Sequence, residues 1–211
     1  TLNGTYIWDY HIKAKGDSIY ADINLGGNIL SDASVRVSVD GMTQTVNAKK
    51  NVSFEFAIDT PIRWNAEQPH TYEVVIELLQ NDAVLEIHTK KVGFAEFEIV
   101  KNKILLNGSQ ITLKGINRHE HDPRNGRAIT VERIEHELKL IKDHNMNAIR
   151  CSHYPNNPAF YEMCTELGIY VMNEADIETH GADTCGDMGY FSKQPRWYQA
   201  YIDRVSRMYE R

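Results

Sequence analysis

The sequence predicts two domains of different class, a β-sandwich over residues 1–97 and an α/β domain over residues 98–211. Three observations carry this. Apolar and polar residues alternate as far as about Phe97, and period two marks strands with one buried face. Beyond Phe97 the apolar spacing becomes three and four, the period of a helix with one buried side. Short continuous apolar runs separate those helical stretches, as strands covered on both faces require.

In the first domain the alternating runs are Ile19-Ala21-Ile23-Leu25, Val35-Val37-Val39, Phe54-Phe56-Ile58 and Tyr72-Val74-Ile76-Leu78. Gly26-Gly27-Asn28, Asp40-Gly41 and Asn81-Asp82 fall between the runs, where turns need permissive backbones. About seven such runs in under 100 residues predict an immunoglobulin-like sandwich without a disulfide. This domain holds 8 Lys and Arg against 13 Asp and Glu, so it carries −5 of the chain's −6. An acidic sandwich with one wet face reads as a structural module.

The second domain opens with Ile104 to Gly108 and Gln110 to Gly115, a small hairpin followed by a buried strand. Val131, Ile134, Leu138 and Ile141 then recur at helical spacing, with Thr130 placed to cap the helix. A short strand over Met146 to Arg150 follows. Asn157-Pro158 opens a second helix and Gly168 closes it, the places where proline and glycine suit a helix. Ile169 to Met172 is a continuous apolar strand. Trp197, Tyr201, Val205 and Met208 form the apolar stripe of a helix starting near Pro195. This order is α/β.

Composition narrows the function classes. With 211 residues, 42% hydrophobic and 25% charged, the chain has ordinary globular composition. No apolar run approaches the roughly 18 residues of a spanning helix, so a membrane role is not expected. The basic residues are scattered over an acidic chain, which argues against a nucleic-acid partner. Cys151, Cys164 and Cys185 are odd in number and lack CxxC spacing. Reduced thiols and a cytoplasmic location are therefore expected. The start, Thr1-Leu2-Asn3-Gly4, shows neither an initiator Met nor a signal-peptide pattern.

Three polar clusters follow the three strands: Asn117 to Asp122, Arg150 to Pro155, and Asn173 to Gly181. Sites in α/β folds gather at the C-terminal strand ends, where loops converge. Each cluster admits more than one reading. His119-Glu120-His121 resembles a metal patch, although loop His and Glu more often serve as surface or supporting groups. Glu174, Asp176, Glu178 and His180 alternate, so an extended backbone would aim all four to one side. They suit either a hard cation or the wall of a hydroxyl-rich pocket. Cys151 beside Arg150 lacks the partner pattern of a nucleophile, and no metal site is assigned.

At these residues the sequence resembles the family-2 glycoside hydrolases, and among them the β-galactosidases. The motifs are Gly115 to His121, Asn147 to Pro155, and Glu174 to Gly181, with a weaker likeness through Arg63 to Pro69. Thr165 and Asn173 depart from the family pattern, which has Asp or Asn at the first place and Asp at the second. The resemblance implies that the α/β part is the N-terminal portion of a (β/α)8 TIM barrel. It implies a retaining glycosidase that hydrolyses terminal β-D-galactosides such as lactose. A β-glucuronidase-like enzyme and a non-catalytic carbohydrate-binding module are the alternatives.

By the same resemblance, His153 and His180 contact the galactosyl ring and stabilise the transition state, and Arg150 orients the nucleophile. Asn117, Arg118, His119 and Glu178 line the substrate pocket. Mg²⁺ and Na⁺ are implied for the parent enzyme, with no cation fully liganded by this chain. The nucleophile and the acid/base are expected beyond Arg211, because no Asn-Glu pair follows Glu178. The chain alone is therefore expected to be inactive. Its partners would be the remaining barrel and domains of a homo-oligomeric parent.

Overall fold

The computed structural model describes residues 4–210, so what was expected of Thr1, Leu2, Asn3 and Arg211 lies outside the described residues. Its contacts part the chain between Thr112 and Leu113 into two compact units. Among the described residues the first unit holds β1 (Tyr6–Lys15), β2 (Ser18–Gly26), β3 (Ala33–Val39), β4 (Met42–Asn47), β5 (Asn51–Ala57), β6 (Tyr72–Gln80), β7 (Ala83–Val92), β8 (Phe97–Val100), β9 (Lys103–Leu106) and β10 (Ser109–Gln110). Seven of them make two antiparallel sheets, β1-β2-β5 and β4-β3-β6-β7. The boundary expected after residue 97 falls within β8, the first strand of the small sheet β10-β9-β8, whose residues lie in the first unit.

The alternation explains how the sheets close. Ile19, Ile23, Phe54 and Phe56 from one sheet pack with Val35, Val37, Ile76 and Leu78 from the other in a single core. Each such buried side chain contributes about 1.5–3 kcal/mol. Register is fixed by turns whose residues accept positive φ. Asp40 and Gly41 (47° and 79°) join β3 to β4, and Asn81 and Asp82 (49° and 65°) join β6 to β7. Arg36 and Glu77 are cross-strand partners and form a two-toothed ion pair at 2.6 and 2.9 Å. That hydrogen bonding holds the Glu77 carboxyl below the usual range. Trp64 is buried, and a Cβ on Gly93 would come within 2.8 Å of it, so glycine is what admits the indole.

The second unit runs β11 (Gly115–Arg118), α1 (Val131–Asp143), β12 (Ala148–Cys151), α2 (Pro158–Leu167), β13 (Tyr170–Met172), two 3-10 turns and α3 (Tyr198–Glu210). The strands form a parallel sheet in chain order, β11-β12-β13, with α1 and α2 as the crossovers. Side-by-side parallel strands alternating with helices are how a TIM barrel begins. Thr130 caps α1, its Oγ1 accepting from Arg133 N at 3.3 Å. Asn157 caps α2, and Gly168 ends it in the left-handed region at φ 71°. Ile134, Leu138, Ile149, Cys151, Phe160 and Cys164 form the core between helices and sheet.

One expectation needs correction. The buried strand over Gln110 to Gly115 is instead an edge strand that starts at Gly115, and Leu113 ahead of it is exposed. Gly115 itself is required, since a Cβ there would stand 2.2 Å from the Ala148 carbonyl oxygen. The helix expected near Pro195 is present, entered through a 3-10 turn over Pro195–Trp197, and among the described residues none of α3 is buried. No described helix is long and apolar enough to cross a membrane.

Candidate active site

The register of the parallel sheet brings the three polar clusters to one edge. Asn117 pairs with Arg150, and Arg150 with Met172, so the segments after the strands emerge side by side. Side chains alternate along each strand. Ile149 and Cys151 face the helices, so Arg150 and its neighbour Asn117 stand on the opposite face.

Arg150, His153 and Glu174 meet there. Arg150 Nε donates to Glu174 Oε1, and His153 Nδ1 lies 2.8 Å from Glu174 Oε2. Arg150 Nη2 comes within 3.2 Å of His153 Nδ1. Glu178 is the second carboxylate, 3.7 Å from His153 Nδ1 and half exposed. The hydrogen bond from His153, followed by that from Arg150, holds the Glu174 carboxyl below its ordinary range. The Ser152–His153 peptide is cis. His119 packs edge-on against the His153 ring, with 5.6 Å between centroids, and lies 6.1 Å from the ring of Tyr154. Arg127 covers that tyrosine at 4.2 Å.

Other residues of the clusters are turned to support. Arg118, expected in the substrate pocket, is 5% exposed and points to the helix side of the sheet. Its guanidinium donates to Asn156 at 2.6 Å and Glu137 at 3.0 Å, and it lies 4.9 Å over the Phe160 ring. Its Nη2 is 2.9 Å from Glu137 Oε2 but off the hydrogen-bond axis. The alternation of the strand explains this: Arg118 shares the face of its register partner Cys151. Glu120 accepts from Asn157 N at 3.0 Å and so braces the start of α2 rather than joining a metal patch. His121 and Asn117 are exposed.

The third cluster does not run extended, which overturns the expectation that its four acidic and imidazole groups share one side. Ile177 N bonds back to Ala175 O at 2.8 Å, and a 3-10 turn begins at His180. Of the four, Glu174 and Glu178 therefore reach His153. His180 stands exposed, and no hydrogen bond or ion pair among the described residues ties it to that group. Among the described residues no three His, Cys, Asp or Glu stand close enough to hold a metal. With Glu174 already engaged by Arg150 and His153, these residues by themselves do not complete a cation site.

Both departures from the resemblance have local roles. Asn173 Oδ1 accepts from Tyr161 Oη at 2.8 Å and from Glu174 N at 3.1 Å, fixing where the third loop leaves its strand. Thr165 Oγ1 bonds back to Tyr161 O within α2 at 3.0 Å. Burial pushes the Cys151 thiol up to about 11 and the Tyr161 hydroxyl up to about 12, so neither is ionised near neutral pH. Sequence reasoning gave Glu137, Asn156 and Tyr161 no role. Their periodic or loop positions look ordinary until Arg118 and Asn173 are seen to need partners. A cavity of about 450 Å³ also opens beside α3, lined by Phe191, Gln194, Pro195, Tyr198 and Tyr201, apart from these groups.

Comparison with known proteins agrees along the whole chain. Residues 97–211 match the family "Glycosyl hydrolases family 2, TIM barrel domain", and residues 5–94 match "Glycosyl hydrolases family 2". A β-galactosidase of Pectobacterium atrosepticum is 38% identical over 94% of this chain and 19% of its own length. The chain thus spans about a fifth of that relative. Among solved structures, Bacteroides uniformis β-glucuronidase 3 aligns with a TM-score of 0.71 and 30% identity, covering 79% of this chain and 22% of that one. A β-glycosidase from Bacteroides vulgatus aligns at 0.70 and 27% identity, over 98% of this chain and 28% of that one.

Proposed function

The chain belongs to family 2 of the glycosyl hydrolases, and from that premise we propose that it is the sandwich and opening barrel strands of a retaining β-galactosidase. The observation that carries this reading is the 38% identity to a β-galactosidase over 94% of the chain, including the strand-end clusters. Charge supports it over a β-glucuronidase reading, which the likeness to the Bacteroides uniformis enzyme favours. Arg150 is already paired with Glu174, and Glu178 adds a second negative charge beside them. Such a group suits a neutral, hydroxyl-rich sugar better than an anionic one.

On this reading Arg150, His153, His119 and Glu178 form part of the galactosyl pocket, with Asn117 at its edge and His180 joining from the third loop. A retaining glycosidase needs two carboxyl groups roughly 5–5.5 Å apart, one attacking and one shuttling the proton. Glu174 is ill suited to the acid/base role, since an ionised carboxylate has no proton to give, and both of its oxygens are already taken by Arg150 and His153 rather than open to a sugar. The nucleophile and the acid/base then belong to the longer protein, as do the ligands that complete any Mg²⁺ or Na⁺ site. Homo-oligomerisation of that protein and a reducing, cytoplasmic setting are part of the same proposal, and the three free thiols suit the latter.

The test is turnover. Purified 1–211 should leave a nitrophenyl β-galactoside intact under conditions where the longer protein cleaves it. Hydrolysis by 1–211, abolished by Glu174→Gln, would overturn the division of labour proposed here.

A further inference from the structure

We propose that Glu174 is the positioning residue of this site, locking His153 in the Nδ1–H tautomer while it seats Arg150 alongside. A carboxylate can only accept hydrogen bonds. At 2.8 Å from Glu174 Oε2, His153 Nδ1 must therefore carry a proton. In the neutral ring the other nitrogen, Nε2, is then an acceptor. The second carboxylate oxygen takes Arg150 Nε. Arg150 Nη2 and His153 Nδ1 approach to 3.2 Å, yet two donors cannot bond each other. Both groups are held by the one carboxylate they share.

Among the described residues the neighbours leave this function to Glu174. Glu178 is 3.7 Å from Nδ1, beyond hydrogen-bond reach. His119 touches the His153 ring edge-on, which limits its tilt without bonding Nδ1. Glu174 is itself anchored at its backbone, where its N–H donates to Asn173 Oδ1.

The lock has a consequence for the substrate, and this part rests on the β-galactosidase reading. With Nδ1 holding its proton, the neutral form of the ring has Nε2 free to receive a hydrogen bond from a sugar O–H. The imidazole thus accepts at the sugar, where a transition-state contact would ordinarily be pictured as a donor. A hydroxyl is then needed at that place on the sugar, because a methyl ether or deoxy analogue has no proton to give.

Side-chain ¹⁵N spectra of the 211-residue chain test the lock directly. At a pH where His153 is neutral, its two nitrogen shifts should show protonated Nδ1 and bare Nε2. Glu174→Gln should reduce the preference for Nδ1–H by about tenfold or more, the effect of losing one charge-assisted hydrogen bond. Glu178→Gln should leave it in place. A wild-type ring carrying its proton on Nε2, an unchanged pattern in Glu174→Gln, or an equal loss in Glu178→Gln would each overturn the proposal. If Glu174→Gln does not fold, the wild-type pattern decides alone. No sugar enters this measurement, so it can fail while the galactosidase reading stands, and the glycoside assays can fail while the lock stands.

Discussion

Replacing Arg118 with methionine should destabilise the second unit far more than it alters any sugar contact. The guanidinium is 5% exposed and donates to Asn156, itself 7% exposed, and to Glu137. Methionine fills much of the volume against Phe160 but returns no donors. Asn156 Oδ1 is left buried without a partner, at about 1–3 kcal/mol. Glu137 keeps Arg133 at 2.8 Å, so its own loss is partial. Breaking a buried pair from one side costs about 3–5 kcal/mol. With that second arginine in place, the low end applies, about 3 kcal/mol. The described α-helices all lie in the second unit, so helical circular dichroism in urea follows it selectively. For a urea slope near about 1.5 kcal/mol/M the midpoint should fall by about 2 M. A loss under about 1 kcal/mol would refute the reasoning, because it would mean that the guanidinium is solvated and free for another role.

Two more predictions bear on the titratable groups. Because the Glu77 carboxyl is depressed by Arg36, its contribution is present above the unfolded value of about 4.3 and is lost as pH falls through the folded one. Wild-type sandwich stability should therefore decline below about pH 4 more steeply than that of Glu77→Gln. Equal acid slopes in chemical denaturation would contradict this. A thiol reagent under native conditions should modify exposed Cys185 first, with buried Cys151 and Cys164 reacting only on unfolding. Labelling of Cys151 as fast as Cys185, read by peptide mass, would rule out the buried placement.

Much of this molecule was legible from residue order, and the rest was hidden for physical reasons. β2, β3, β5 and β6 announced themselves because each buries one face in a shared core. β4 did not, since all six of its residues are exposed at a sheet edge and no alternation is imposed on them. Caps at Thr130, Asn157 and Gly168 were readable because each does a local job. The direction of Arg118 was not, as it depends on which face of a short edge strand meets the helices. The third cluster misled in the same way. Its alternation would matter on an extended backbone, and the bond from Ile177 N to Ala175 O bends it. Family resemblance pointed to the three strand ends that the sheet brings together, while the pairing of Arg150 with Glu174 depends on how the third loop folds back.

If these strand ends form part of a pocket for a neutral galactoside, the sugar preference of the longer protein must show it. The most direct measurement is kcat/KM of the longer protein carrying this chain, on nitrophenyl β-galactoside and nitrophenyl β-glucuronide side by side. A site built around paired charges and hydroxyl contacts should prefer the galactoside by about a hundredfold or more. An equal or reversed preference would contradict it.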